Sequence, residues 1–252
     1  MWVSKHCFCG RICGSITGML ISGIQPCTLL DFPEKTACIV FTPGCNFRCS
    51  YCHNPEFVLP ELIGKLRESF IPEETFFRFL DRRQDLLDGV VVTGGEPTLM
   101  PDLLNFLRKV KDRGFKTKLD TNGNRPAVLR RALEDGLLDY VAMDVKTSLT
   151  EYKNLAGPLA DPSKIAESVE ILKTSPVQSE FRSTIMQELH PQFVLDGMAE
   201  LLCGAKTLYL QKFRPDVVLK EDAYGYHPFS DAEMSSIADF FRRTVPNVII
   251  RT

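Results

Sequence analysis

No apolar run in this 252-residue sequence reaches the roughly 18 residues that a membrane-spanning helix needs. An excess of charge of one sign is missing too. The 30 basic and 32 acidic residues are mixed along the chain and leave a formal net charge of -2. Without a basic field there is no electrostatic footprint for nucleic acid or for an anionic membrane. No low-complexity linker divides the chain. The first 18 residues lack a clean apolar core and carry Lys5, His6 and Arg11, so they do not read as a secretory signal peptide. The nine cysteines are an odd number, which rules out a complete set of internal disulfides. What remains is an ordinary globular composition, 44% hydrophobic and 25% charged, long enough for one large α/β domain. Thiols in such a chain point to a reducing compartment, and the expected location is cytoplasmic.

The most informative segment is Thr-Pro-Gly-Cys-Asn-Phe-Arg-Cys-Ser-Tyr-Cys-His-Asn-Pro, which places Cys45, Cys49 and Cys52 at C-x3-C-x2-C spacing. Three thiolates can hold three irons of a cubane cluster, whereas a fully protein-ligated cube takes four cysteines. One iron is then left open for chemistry, as in catalytic metal sites. Soft thiolates also suit zinc or copper(I), and the alternative reading is a structural zinc completed by His53. Against zinc, the spacing is asymmetric and no second C-x2-C pair follows.

Short β-type runs alternate with helical patterns from about Lys35 onward. Strands are expected at 36–41, 89–93, 116–120, 140–144, 180–186 and 207–212, with a late extra one at 247–251. Amphipathic helices are expected to open at Pro72, Pro101 and Pro126, and to run over 163–173, 193–203 and 230–243. Repeating β-α units imply a parallel sheet with right-handed crossovers. Six or seven units are too few for a complete (β/α)8 barrel, so the expectation is an incomplete (β/α)6 barrel of the TIM type. An open doubly wound sheet is the competing architecture. In either case function belongs at the C-terminal ends of the strands.

The unusual segments fall at those ends. Gly94-Gly95-Glu96-Pro97 closes one strand, where two glycines permit close backbone approach and Glu96 offers an acceptor. A plain strand-to-helix turn is the bland alternative. Asp120-Thr121-Asn122-Gly123 and Asp144 close two neighbouring strands. Their carboxylates could share a hard cation, or they could serve as turn and cap residues. Arg182 is a charge within a strand that either reaches a carboxylate at the rim or points to solvent. His190 and His227 are lone histidines, more often surface or capping groups than ligands. Cys7, Cys9, Cys13 and Cys27 match no ligand spacing, and residues 1–18 are expected to be a disordered extension ahead of a domain covering 19–252.

Taken together, the cysteine loop with Tyr51 before its last cysteine, followed by Gly-Gly-Glu-Pro, resembles the radical S-adenosylmethionine (SAM) enzymes. Leu-Leu-Asp-Phe-Pro-Glu-Lys at 29–35, Lys-Leu-Asp-Thr-Asn-Gly and Tyr-Val-Ala-Met-Asp-Val-Lys are similar to segments of the glycyl-radical activating enzymes. The resemblance implies one [4Fe–4S] cluster on Cys45, Cys49 and Cys52, with SAM on its open iron. Reductive cleavage would give a 5′-deoxyadenosyl radical that takes hydrogen from a glycine of a partner protein. It also implies that Gly94, Gly95 and Glu96 face the SAM amino group and that Tyr51 lies near the adenine. Asn122 and Arg182 join them as cofactor-binding candidates. A monovalent cation beside the SAM carboxylate would be held by Asp120, Thr121 and Asp144, with Ala142 standing where the pyruvate formate-lyase activases have methionine. The implied partner is a glycyl-radical enzyme, with anaerobic ribonucleoside-triphosphate reductase expected. Flavodoxin or ferredoxin is the implied electron donor. The alternatives are an activase of the pyruvate formate-lyase type, a radical SAM enzyme acting on a small molecule, and a non-catalytic iron–sulfur or zinc protein.

Overall fold

The structure, a computed structural model, describes residues 18–251. The expectation for residues 1–18, with Cys7, Cys9 and Cys13, therefore falls outside the described residues except at Gly18. Eight strands form one sheet in chain order: β1 (Gly23–Thr28), β2 (Ala37–Thr42), β3 (Gly89–Gly94), β4 (Lys116–Thr121), β5 (Tyr140–Asp144), β6 (Gln178–Ile185), β7 (Thr207–Lys212) and β8 (Asn247–Arg251). Strands β2 to β8 are all parallel, and β1 adds antiparallel to β2. Six β-α crossovers thus precede β8, as expected of the incomplete barrel.

Parallel strands lie buried on both faces, which is why β3 reads Gly-Val-Val-Val-Thr-Gly without polar alternation. The helices over 60–66 (α1), 73–81 (α2), 103–111 (α3), 126–134 (α4), 152–156 (α5), 162–174 (α6), 192–201 (α7) and 231–241 (α8) supply the crossovers and their covering layer. Each longer helix turns an apolar stripe onto the sheet, such as Leu103, Phe106, Leu107 and Val110 of α3. The main core lies between sheet and helices. A second, smaller cluster of Phe32, Ala37, Ile39, Val91 and Tyr140 fills the opposite face.

That opposite face carries the chemistry. Side chains alternate across a strand, so Lys118 and Asp120 of β4, Tyr140, Ala142 and Asp144 of β5, and Glu180, Arg182 and Thr184 of β6 share it. The register sets Asp120 beside Ala142, Ala142 beside Glu180 and Asp144 beside Arg182. Three elements go beyond the expected set: β1, α1 and α5. Strand β1 contains Pro26, which a sheet tolerates at an edge. Helix α5 is a five-residue piece, too short to show a period.

Candidate active site

The cysteine loop leaves β2 at Thr42 and is held by its neighbours at four places. First, the loop after β3 grips its base: Gly95 N–H donates to Thr42 O at 2.9 Å and Glu96 N–H to Gly44 O at 2.7 Å. A Cβ on Gly95 would stand 2.1 Å from Gly44 O, and one on Gly94 would stand 2.4 Å from Thr42 N. The glycine pair was read as room for a ligand; the backbone that approaches it here is that of the cysteine loop. Second, Asn122 donates from Nδ2 to Asn46 Oδ1 at 2.9 Å and lies 3.9 Å from Cys45 Sγ. Third, α5 accepts Arg48 N–H at Ala156 O, 2.8 Å, and sets Tyr152 against Phe47. Fourth, the segment after β7 latches the far side. Leu219 and Lys220 N–H both donate to Ser50 O at 3.0 Å, and Ser50 Oγ lies 3.2 Å from Tyr226 Oη.

All of the candidate site residues line one cavity of ≈ 380 Å³: Cys45, Cys49, Cys52, Tyr51, Gly94, Gly95, Glu96, Asp120, Thr121, Asn122, Asp144 and Arg182. They play different parts. Glu96 is buried and already saturated. Its Oε1 accepts from Thr98 N–H, Thr98 Oγ and Thr121 Oγ, and its Oε2 from Asn122 N–H at 2.7 Å. Burial raises its pKa above the usual carboxylate range, although those donors oppose the shift. This carboxylate ties the end of β3 to the end of β4 and also lines the cavity. The Tyr51 ring lies edge-on to Phe213, and its buried hydroxyl has no hydrogen-bond partner.

Two lysines that the sequence reading left out of the site complete a ladder of charge. Lys118, 1% exposed, puts Nζ 2.5 Å from Asp120 Oδ1. Arg182 Nη1 is 3.1 Å from Asp120 Oδ2, and its Nε is 2.9 Å from Asp144 Oδ1. Lys146 Nζ is 3.1 Å from Asp144 Oδ2. Arg182 therefore reaches a carboxylate, indeed two, rather than solvent. Burial alone would make Asp144 harder to ionise, but Arg182 and Lys146 outweigh it and hold the carboxyl at about 2. Asp120 is likewise held below its usual range by Arg182 and Lys118 against the penalty of burial.

Burial, with Glu96 nearby, pushes the Cys45 thiol up to about 12. It pushes Cys49 to about 11 and raises Cys52 as well. Such thiols give up their protons to a strongly positive partner, as metal ligands must. Among the described residues no three His, Cys, Asp or Glu side chains converge on the position of a single metal ion. His53, the alternative fourth ligand, has Nε2 2.9 Å from Arg214 O and stacks on Phe213. The donor set fits a cube with one uncommitted corner.

Residues 39–189 match the radical SAM superfamily. The chain belongs to this superfamily. Membership of this superfamily implies a [4Fe–4S] cluster and SAM. Over 238 residues, 92% of the chain, the sequence is 29% identical to a protein of Methanocaldococcus jannaschii named for glycyl-radical enzyme activation, spanning 96% of that protein. It is 33% identical over 140 residues to the pyruvate formate-lyase-activating enzyme of Clostridium pasteurianum, covering 50% of this chain and 52% of that one. Among solved structures, QueE from Escherichia coli is similar with a TM-score of 0.55 at 17% identity, covering 93% of this radical SAM chain and 94% of the other. SuiB of Streptococcus suis with its precursor peptide gives a TM-score of 0.64 at 13% identity, over 85% of this chain and 48% of that one. These two likenesses show the fold alone.

Proposed function

We propose that this radical SAM enzyme generates a glycyl radical on a partner protein. One observation carries the reading: the chain aligns over nearly its whole length, and over 96% of the relative's, with a protein named for that activity. When bound, the cluster and SAM supply one-electron reductive cleavage and, through it, removal of a hydrogen atom. Cys45, Cys49 and Cys52 would hold the cluster, each on its own iron. Lys146 and Arg182 present positive charge to the cavity and would orient the carboxylate of SAM. Tyr51, backed by Phe213, lines that end of the cavity. The expected partner is anaerobic ribonucleoside-triphosphate reductase, supported by the likeness of residues 29–35 and of the segments ending β4 and β5 to its activases. A second reading, a partner of the pyruvate formate-lyase type, is favoured by the match to the clostridial enzyme.

The test is electron paramagnetic resonance on reduced, cluster-loaded protein mixed with SAM and each candidate partner. A doublet that collapses when the partner's glycine is α-deuterated is expected. Turnover of a small metabolite with no radical on either partner would sink the reading. Replacing Cys45, Cys49 or Cys52 by alanine should abolish formation of 5′-deoxyadenosine in the same samples.

A further inference from the structure

The carboxylates of Asp120 and Asp144 have four oxygens between them, and each already has a cationic nitrogen at 2.5 to 3.1 Å. Three cations, Lys118, Arg182 and Lys146, serve two anions. The chain therefore already supplies a protein cation to each oxygen at the place where a cation shared by two carboxylates would sit. We infer that Lys118 and Arg182 are tethered substitutes for a monovalent cation, so that SAM binding by this chain is independent of sodium and potassium. This rests on SAM occupying the cavity, as proposed above.

Two features of the sequence make the arrangement possible. Lys118 lies two residues before Asp120 on β4, so both side chains stand on the same face and the ammonium can bridge back to Oδ1. Arg182 stands beside Asp144 on β6 and must cross β5 to reach Asp120, a span of two strand spacings, roughly 10 Å. The residue it crosses is Ala142, register partner of both Asp120 and Glu180. A methyl group leaves that crossing open, whereas a long side chain on this face would fill it. The last neighbour, Glu180, also attracts the guanidinium through its charge but has its own partners elsewhere. It accepts from Tyr140 Oη at 2.7 Å and lies 3.8 Å from Arg251. Lys118 is thus a positioning residue: it acts on SAM through Asp120 and the guanidinium that Asp120 anchors.

The deciding measurement is the SAM dissociation constant of cluster-loaded protein, by equilibrium dialysis, in potassium chloride and in tetramethylammonium chloride at equal ionic strength. The two constants should agree within about twofold, and Lys118→Met should bind SAM about tenfold more weakly in tetramethylammonium and recover in potassium. A wild-type constant that worsens about tenfold without potassium would overturn the inference and leave the activase reading standing. So would one equivalent of thallium(I) retained by the wild-type protein after gel filtration. SAM binding in neither salt would overturn both together. Should Lys118→Met fail to fold by circular dichroism, the wild-type comparison and the thallium measurement decide alone.

Discussion

Single atoms decide much of this site. Gly95 tolerates no side chain, because Gly44 O and Phe57 O lie 2.1 and 2.8 Å from where its Cβ would be. Gly95→Ala should destabilise the fold by roughly 1–3 kcal/mol through overpacking and lower the iron bound per chain. Gly44→Ala is the control, since no atom lies within 4 Å of its Cβ position and only its φ of +90° is unfavourable. Equal iron content in wild type and Gly95→Ala would show that the contact does not set the loop. His190 gives a second residue-scale expectation. It is buried, with Nε2–H donating to Lys146 O at 3.0 Å and Nδ1 accepting Met186 N–H at 3.2 Å. Burial, outweighing these bonds, lowers its pKa from 6.5 to about 4. Below pH 6.5 the unfolded chain takes up a proton that the folded chain refuses until about pH 4. Stability should therefore fall by about 3 kcal/mol as pH drops through that window. Denaturant titrations at pH 7 and pH 4.5 would measure the slope, and His190→Gln should flatten it. A slope unchanged in that variant would assign the effect to other groups.

At the scale of elements, the strands and the rim motifs were readable because each leaves a local pattern. Apolar β-branched runs such as Gly-Val-Val-Val-Thr mark buried parallel strands, and Pro or capping residues mark helix starts. Strand β2 begins one residue later than expected and β6 two residues earlier, the ordinary slack of element ends. The elements that were not read lack such a pattern. Strand β1 is an exposed edge with a proline, and α5 has five residues. In the site, the three cysteines, the glycine pair and the acids were visible as unusual spellings. Lys118 and Lys146 were not, because a lysine in a strand-like run ordinarily signals a solvated face. Their partners become apparent only once β4, β5 and β6 are set side by side. The hydrogen bonds of Glu96 were not legible for a related reason: its donors Thr121 and Asn122 lie about 25 positions away, at the end of the next strand.

For the whole molecule, the sheet runs from β1 to β8 and the two end strands do not pair with each other, which leaves the carrier of the site open along one side. Near that side the chain exposes Leu29 and Leu30, 72% and 85% accessible, immediately before Asp31, which lines the cavity. Two large exposed apolar residues next to a cavity-lining residue suit contact with a protein rather than with a small polar molecule. Replacing both by serine should raise the partner concentration needed for half-maximal radical formation by about tenfold, equivalent to about 1.4 kcal/mol. Partner-independent SAM cleavage should stay unchanged. If the partner requirement were unaffected, the docking surface would have to lie elsewhere.

The latch between Ser50 and residues 219–220 has a consequence for the life of the protein before it ever meets a substrate. The cysteine loop leaves the ribosome long before the segment that clamps it. At about 5–20 residues per second, the interval is on the order of ten seconds or more. During that time the three thiols belong to an unfinished barrel, reachable by oxidants and by stray metal ions. Assembly of the cluster on a correctly shaped loop is therefore a late event in biogenesis, set by the arrival of the final third of the chain.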